Sequence, residues 1–230
     1  MQSKKLSVFK KVFLSLLVCV LVVGYFLIKN KLQRDYDFID LCAVGSLQQI
    51  IDDIKDGVNV NSRSKEGITP LMAAAFKNHN PEVITTLIKA GADVNAREEF
   101  GVTSLMLATS NNSIPEVVTA LVKAGANVNA MASNGRTSLI LAATFNSNSE
   151  VITDLINAGA EVNAKDNRGI TPLMYAARVN PNPEVITILL EFGADPKAKD
   201  YGGKMAMDHA RDSKKQENTE VLRKLEETIY

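Results

Sequence analysis

A chain of 230 residues is long enough for one or two ordinary domains, and its 26 Lys and Arg balance its 26 Asp and Glu to a formal net charge of zero. The balance hides an asymmetry: residues 1–34 carry seven basic side chains (Lys4, Lys5, Lys10, Lys11, Lys29, Lys31, Arg34) and no acidic one, so the remainder holds 19 basic against 26 acidic groups, a net −7. An acidic body without clustered Lys and Arg argues against a nucleic-acid partner, which needs its phosphates neutralised; and with Cys19 in an apolar run, Cys42 is the body's one cysteine, which excludes an internal disulfide there.

The basic head surrounds an apolar run. Val12–Ile28 reads VFLSLLVCVLVVGYFLI, 17 residues without a charge, broken only by Ser15 and Gly24. A spanning helix needs roughly 20 apolar residues, within a range of about 17–25, so the run sits at the short edge. Lysines on both sides can snorkel to the interface, and Phe13, Tyr25 and Phe26 stand near its ends, where aromatic rings favour the headgroup level. The expectation is an uncleaved signal anchor over residues 1–34 that reaches the membrane through residues 12–28. Four lysines and the amino terminus precede the run, against Lys29, Lys31 and Arg34 after it. That bias favours a cytosolic N-terminus and an extracytoplasmic body, periplasmic in a bacterium. A cleaved signal stays open as the alternative, since Val22 and Gly24 are small residues before Tyr25; no A-x-A pattern stands there, and apolar residues continue beyond. Cleavage would release the body as a secreted factor. A lipoprotein signal at Cys19 fits less well, because the run extends nine residues past it.

Asp37 to Asp56, DFIDLCAVGSLQQIIDDIKD, predicts a helix pair with a short turn at Gly45-Ser46. From there the chain repeats itself. GITPLMAAAF at Gly67 returns as GVTSLMLATS at Gly101, GRTSLILAAT at Gly135 and GITPLMYAAR at Gly169, a step of 34 each time. GVNVNS at Gly57 keeps the same step through GADVNA, GANVNA, GAEVNA and GADPKA at Gly91, Gly125, Gly159 and Gly193. Between the two phrases lie PEVITTLIKA, PEVVTALVKA, SEVITDLINA and PEVITILLEF. A fixed period of this size marks a solenoid.

Each unit has a physical reading. Thr69, Thr103, Thr137 and Thr171 stand where an N-cap belongs, with Pro70 or Pro172 at the first helical position. The alanines of Ala73-Ala74-Ala75 admit a neighbouring backbone. After a polar turn, Asn80-Pro81-Glu82 and Asn182-Pro183-Glu184 begin a second helix with cap, proline and first-turn acid. That helix puts Val83, Leu87 and Ile88 on one face. Gly91, Gly125, Gly159 and Gly193 end it in the left-handed conformation. Helices shorter than about 12–15 residues are marginal in water, so each unit needs the identical edge of its neighbour.

The T-P-L-x-x-A-A phrase, the E-V-(I/V)-x-x-L-(I/V)-x-x-G-A-(D/N)-V-N-A phrase and the order helix, turn, helix, finger resemble ankyrin repeats, over nearly all of residues 36–230. The resemblance implies an all-α solenoid of helix-turn-helix units with short β-hairpin-like fingers, which would follow the one N-terminal transmembrane helix expected from the apolar run. Its parts would be an N-terminal cap (36–63), repeats at 64–97, 98–131, 132–165 and 166–199, and a C-terminal cap (200–230): six helix pairs. Two departures stand out. Where the family carries a histidine after T-P-L, this chain has Met72, Met106, Ile140 and Met174, so packing replaces a hydrogen bond. The period is 34 where 33 is usual, with the extra residue in the turn between helices (KNHNPEV, SNNSIPEV). In the C-terminal cap, Met205 replaces the threonine and TEVLRKLEETIY predicts a charged final helix.

By the same resemblance, finger tips and inner-helix ends line a concave surface for a protein partner, and they vary most between units. The tips supply Arg63, Lys65, Glu66, Arg97, Glu99, Phe100, Met131, Asn134, Lys165, Asn167, Arg168 and Tyr201; the inner-helix ends supply Phe76, Phe145 and Arg178. Aromatic and arginine side chains dominate binding hot spots, which singles out Phe100, Phe145 and Tyr201. Each could equally pack on the next finger, as isolated exposed apolar residues do. His79 and His209 fall in distant units and read as solvated or hydrogen-bonded. Cys42 reads as a buried thiol whose ionisation Asp40 opposes. Asp52-Asp53 beside Lys55 reads as a solvated face, and Lys214-Lys215 is too short a run for nucleic acid. No phosphate loop, metal-spaced cluster or nucleophile elbow is present. The expectation is therefore no enzyme, no cofactor, no metal and no small-molecule substrate. An accessory factor that protects or regulates an enzyme is the alternative to a tethered scaffold.

Overall fold

Every threonine that precedes an alanine-rich run folds its hydroxyl back onto the helix it starts. In the computed structural model, which describes residues 21, 24–25, 27–111, 114–212 and 219–229, Thr69, Thr103, Thr137 and Thr171 accept the N–H three residues on, at 3.2, 3.4, 3.3 and 3.3 Å. The helices they begin are α3 (Pro70–Lys77), α5 (Ser104–Asn111), α7 (Ser138–Phe145) and α9 (Pro172–Val179). Each is followed by an antiparallel partner: α4 (Pro81–Lys89), α6 (Pro115–Lys123), α8 (Ser149–Asn157) and α10 (Glu184–Glu191). Ahead of them stand α1, helical over 27–44, and α2 (Leu47–Lys55); behind them stand α11 (Ala206–Asp212) and α12 (Thr219–Ile229).

The second helices use asparagine. Asn80 and Asn148 accept the N–H of Glu82 and Glu150, and Asn182 does so for Glu184 at 3.0 Å although α10 starts one residue later than its proline predicts. At the other end, Gly91 has φ +93°, and the N–H groups of Gly91 and Ala92 return to the carbonyls of Ile88 and Leu87. That double bond closes the helix only with a left-handed residue, which glycine adopts without strain.

Two rows result. The inner helices α3, α5, α7, α9 and α11 stack in order, and α2, α4, α6, α8, α10 and α12 form the outer row. Ala74, Ala75, Ala108, Ala142, Ala143, Ala176 and Ala177 are buried on the inner helices, where small side chains let backbones approach. One continuous core runs from Phe38 to Leu225. Ile84, missed by the sequence reading of the second helix, is buried together with Val83 and Leu87, while Ile88 is only half buried. Met72, Met106, Ile140 and Met174 are all buried, so apolar packing fills the place of the expected histidine.

Polar ladders run along the stack. Asn61, Asn95, Asn129 and Asn163 each donate from Nδ2 to the carbonyl of the glycine 30 residues on, at 2.8–3.0 Å. Each also accepts an N–H 32 residues on, from Asp93, Asn127, Glu161 and Asp195. A second set lies in the turn that carries the extra residue. Asn78 donates to Cys42 and Gly45, Asn146 to Thr109, and Asn180 to Ala143 and Asn146, all main-chain carbonyls of the preceding unit. The longer turn therefore stitches neighbours together as well as accommodating them.

The fingers differ from the expected hairpins: among the described residues no strand is formed. Each tip closes with one long bond, such as Glu98 N to Val102 O, and one tight one, Gly101 N to Glu98 O, which is too little pairing for a ladder. Sideways, single bonds link tip to tip: Glu99 N to Glu66 O, Ser133 N to Phe100 O, Asn167 N to Asn134 O and Tyr201 N to Arg168 O.

Most of the apolar run 12–28, and with it the expected transmembrane helix, lies outside the described residues. Among the described residues no helix is long and apolar enough to cross a membrane. The last residues of the run, Leu27 and Ile28, already belong to α1. Further along α1, Arg34 pairs with Asp56 at 3.2 Å and Asp35 accepts the N–H of Asn59. Residues next to the head thus hold the first unit.

Candidate functional site

The stack places the sequence-derived candidates in three groups. The first is occupied with its neighbours. Arg63 donates to the Arg97 carbonyl at 2.8 Å, Arg97 to that of Met131, and Lys165 to that of Lys199 at 3.1 Å, each 34 residues on. Asn134 and Asn167 lie in the tip-to-tip bonds, and Asn167 Nδ2 also donates to Ser133 O at 2.9 Å. The carbonyl of Glu66 is a tip acceptor too; its carboxylate takes the Ser64 hydroxyl at 2.8 Å, which holds its pKa below the usual carboxylate range. The half-buried Phe76 lends its carbonyl to Asn111. The recurrence of basic side chains at 63, 97, 165 and 199 is visible in the sequence, but the carbonyl each one reaches is not.

The second group projects into solvent. Phe100 is 63% exposed, Met131 47% and Tyr201 75%, and Lys65 and Glu99 are exposed beside them. The Tyr201 ring, although exposed, lies beside Gly169 of the preceding finger.

The third group converges. Phe145, Arg168 and Arg178 line a cavity of about 460 Å³ between the ends of α7 and α9 and the returning fingers. Two residues that the sequence reading missed, Arg136 and Tyr175, complete it. The Tyr175 ring lies under the Arg136 guanidinium, 4.8 Å from ring centre to Cζ. Its hydroxyl accepts from Arg136 and from Arg168, each at 2.7 Å, and donates to Asp166 Oδ2 at 2.8 Å. Both lone pairs and the proton of that oxygen are thereby used. The buried Asp166 accepts, through Oδ1, the N–H groups of Arg168 and Ile170. The Tyr175 hydroxyl, and secondarily Asp166, push the Arg168 pKa further up, so the guanidinium stays charged. The missed pair had a signal. Tyr175 stands where the other units carry Ala73, Leu107 and Leu141, and Arg136 where they carry Ile68, Val102 and Ile170.

A larger concavity of about 560 Å³ lies between the outer helices α4 and α6, lined by Thr85, Ile88 and Ala120 among others, and holds none of the candidates. We regard the smaller cavity as the functional candidate because charge and hydrogen-bonding groups converge there.

His209 is the hydrogen-bonded case, buried with Nε2 2.8 Å from Asp200 Oδ2, and His79 is the exposed one, in a different unit. Burial pushes the Cys42 thiol pKa well up, and the acid that adds to this is Asp53, not Asp40. Among the described residues no group of three or more His, Cys, Asp or Glu is placed to hold a metal ion.

A family model described as ankyrin repeats in three copies matches four overlapping windows, residues 39–132, 71–166, 105–200 and 139–228. The chain belongs to the ankyrin-repeat family. No curated protein matches it in a sequence comparison. Ankyrin-repeat proteins are generally non-enzymatic scaffolds for protein–protein interaction.

Proposed function

We propose that the chain is a membrane-tethered ankyrin-repeat scaffold that binds a protein partner along its finger tips and inner-helix ends. The observation that carries the binding surface is the exposure of Phe100, Phe145 and Tyr201 on a framework in which Arg63, Arg97, Lys165 and Asn167 are tied to their neighbours. Large aromatic rings on rigid supports lose little conformational freedom on binding, the property that makes them anchors. The uncharged run Val12–Ile28 supports the tether, and the excess of lysine before it supports an extracytoplasmic scaffold. Because α1 carries Leu27 and Ile28 at one end and Phe38 and Cys42 in the core at the other, such an anchor would join the stack through a single helix.

Crosslinking of the full chain, followed by recovery of partners with wild type and with a Phe100→Ala, Phe145→Ala, Tyr201→Ala variant, tests the surface. Partner recovery should fall in the variant; equal recovery removes the assignment. Intact mass of the mature chain tests the tether: a start at Met1 supports it, whereas a start near Tyr25 indicates release as a secreted factor.

A further inference from the structure

Four departures from the repeat coincide at one place. Arg136, Arg168, Tyr175 and Arg178 occupy columns where the other three full repeats carry Ile, Val, Glu, Phe, Asn, Ala, Leu, Ser and Thr, and the C-terminal cap carries Lys204, Gly202, His209 and Asp212. None of the four substitutions is needed for stacking, since the other units stack without them. Together they bring three guanidinium groups to one cavity of about 460 Å³ on a body whose net charge is −7. That volume lies within the ~300–1,000 Å³ of ordinary ligand sites.

We propose that this cavity receives an acidic side chain, Asp or Glu, from a peptide segment of the protein partner. Among the described residues, the one carboxylate paired with any of the three cations is that of Asp166, 3.7 Å from Arg168 Nε, and it also accepts two main-chain N–H groups and the Tyr175 hydroxyl. Asp212, which Arg178 also influences, is held by Lys204 Nζ at 2.6 Å. Among the described residues no carboxylate lies within ion-pair distance of Arg136 or Arg178. Two arginines share one phenol oxygen, so like charges are held side by side by Tyr175 and Asp166 before any ligand arrives. A guanidinium presents a planar fork that matches a carboxylate. Phe145, 56% exposed, and the exposed Val179 border the same cavity, which suits an apolar residue next to the acid.

The inference rests on the partner-binding reading above and names the chemistry of the partner. The probe is a short fluorescein-labelled peptide alternating Glu and Phe, with Gln-Phe and Lys-Phe peptides as controls, titrated with the full chain and read by fluorescence anisotropy. The Glu peptide should bind in preference to both controls and weaken steeply with added salt. Arg136→Gln, Arg168→Gln and Arg178→Gln should each weaken it about tenfold or more, as loss of a charge-assisted contact does, with far-UV circular dichroism unchanged. Absence of binding, equal binding of the Gln peptide, or unchanged affinity in the triple arginine variant overturns the proposal. The peptide controls use only the wild-type chain, so a variant that fails to fold does not decide the outcome. A native partner that needs Phe100 and Tyr201 but is held equally by the triple arginine variant overturns the acidic-site proposal alone and leaves the scaffold reading standing.

Discussion

Single asparagines hold the units of this protein in register. Asn180 is buried; its Nδ2 bonds two carbonyls of the preceding unit and its Oδ1 accepts the N–H of Asn182 at 2.8 Å. Asn180→Ala would leave those groups buried without partners, which costs about 1–3 kcal/mol for each such group. We expect a loss of about 2–4 kcal/mol in urea unfolding; a shift of a few tenths would show that water replaces the side chain. Asp200 makes a different prediction. Burial alone would raise its pKa, but the N–H of Lys204, His209 and the N–H of Gly202 outweigh it, and the folded-state value lies below the usual 3.8. A depressed carboxylate adds stability above its unfolded pKa and loses it as pH falls through the folded value. Asp200→Asn should therefore flatten the fall of the urea midpoint below about pH 4, whatever constant offset the lost contact with His209 adds. An unchanged acid slope would count against this role. These roles were only half legible in sequence. The columns of asparagine are plain at a step of 34, but their partners lie 30–37 residues away, and no local rule gives that distance.

At the scale of the helix, the caps were readable because they are local: a threonine or asparagine bonds an N–H two or three residues away whatever the fold. One cap shows an economy within the repeat. Pro70 and Pro172 open α3 and α9, whereas Ser104 and Ser138 open α5 and α7, and both serine hydroxyls are buried without a hydrogen-bond partner. Thr137, the residue before, already has φ −99° and ψ 170°, the extended region a following proline requires. The N–H at the first helical position has no helical partner to lose. Ser138→Pro should thus stabilise the chain by about 1–2 kcal/mol, through a less flexible unfolded state and removal of the unpaired hydroxyl. Thermal and urea unfolding would both register the gain, and a loss would mean that the ring clashes with α5. The fingers were over-read at this same scale: the family resemblance implied hairpin-like fingers, but each tip makes too few main-chain bonds to become one.

Across the whole molecule, the main helix contacts among the described residues run within a unit or to its neighbours, so stability accumulates along the stack. Excision of residues 98–131 joins Arg97 to Ala132 and sets α3 against α7, with the same threonine cap and buried leucine in place. The shortened chain should still unfold cooperatively, with a smaller denaturant slope in keeping with the surface removed. A broad, non-cooperative transition would show that the units are not interchangeable. The arginine cavity, built from α7, α9 and their fingers, should survive this excision.

The sequence by itself determined the period, most of the helix caps and the family, because each of these depends on spacing or on bonds spanning a few residues. It pointed to Phe145, Arg168 and Arg178 one at a time, through their variation between units. Only the tertiary structure decided that these three share a cavity with Arg136 and Tyr175, and that Arg63, Arg97 and Lys165 are engaged by the next finger. The physical reason is that a groove in a solenoid is assembled from side chains more than 30 residues apart, brought together by stacking, and the charge left over there depends on which partners the stack has already supplied.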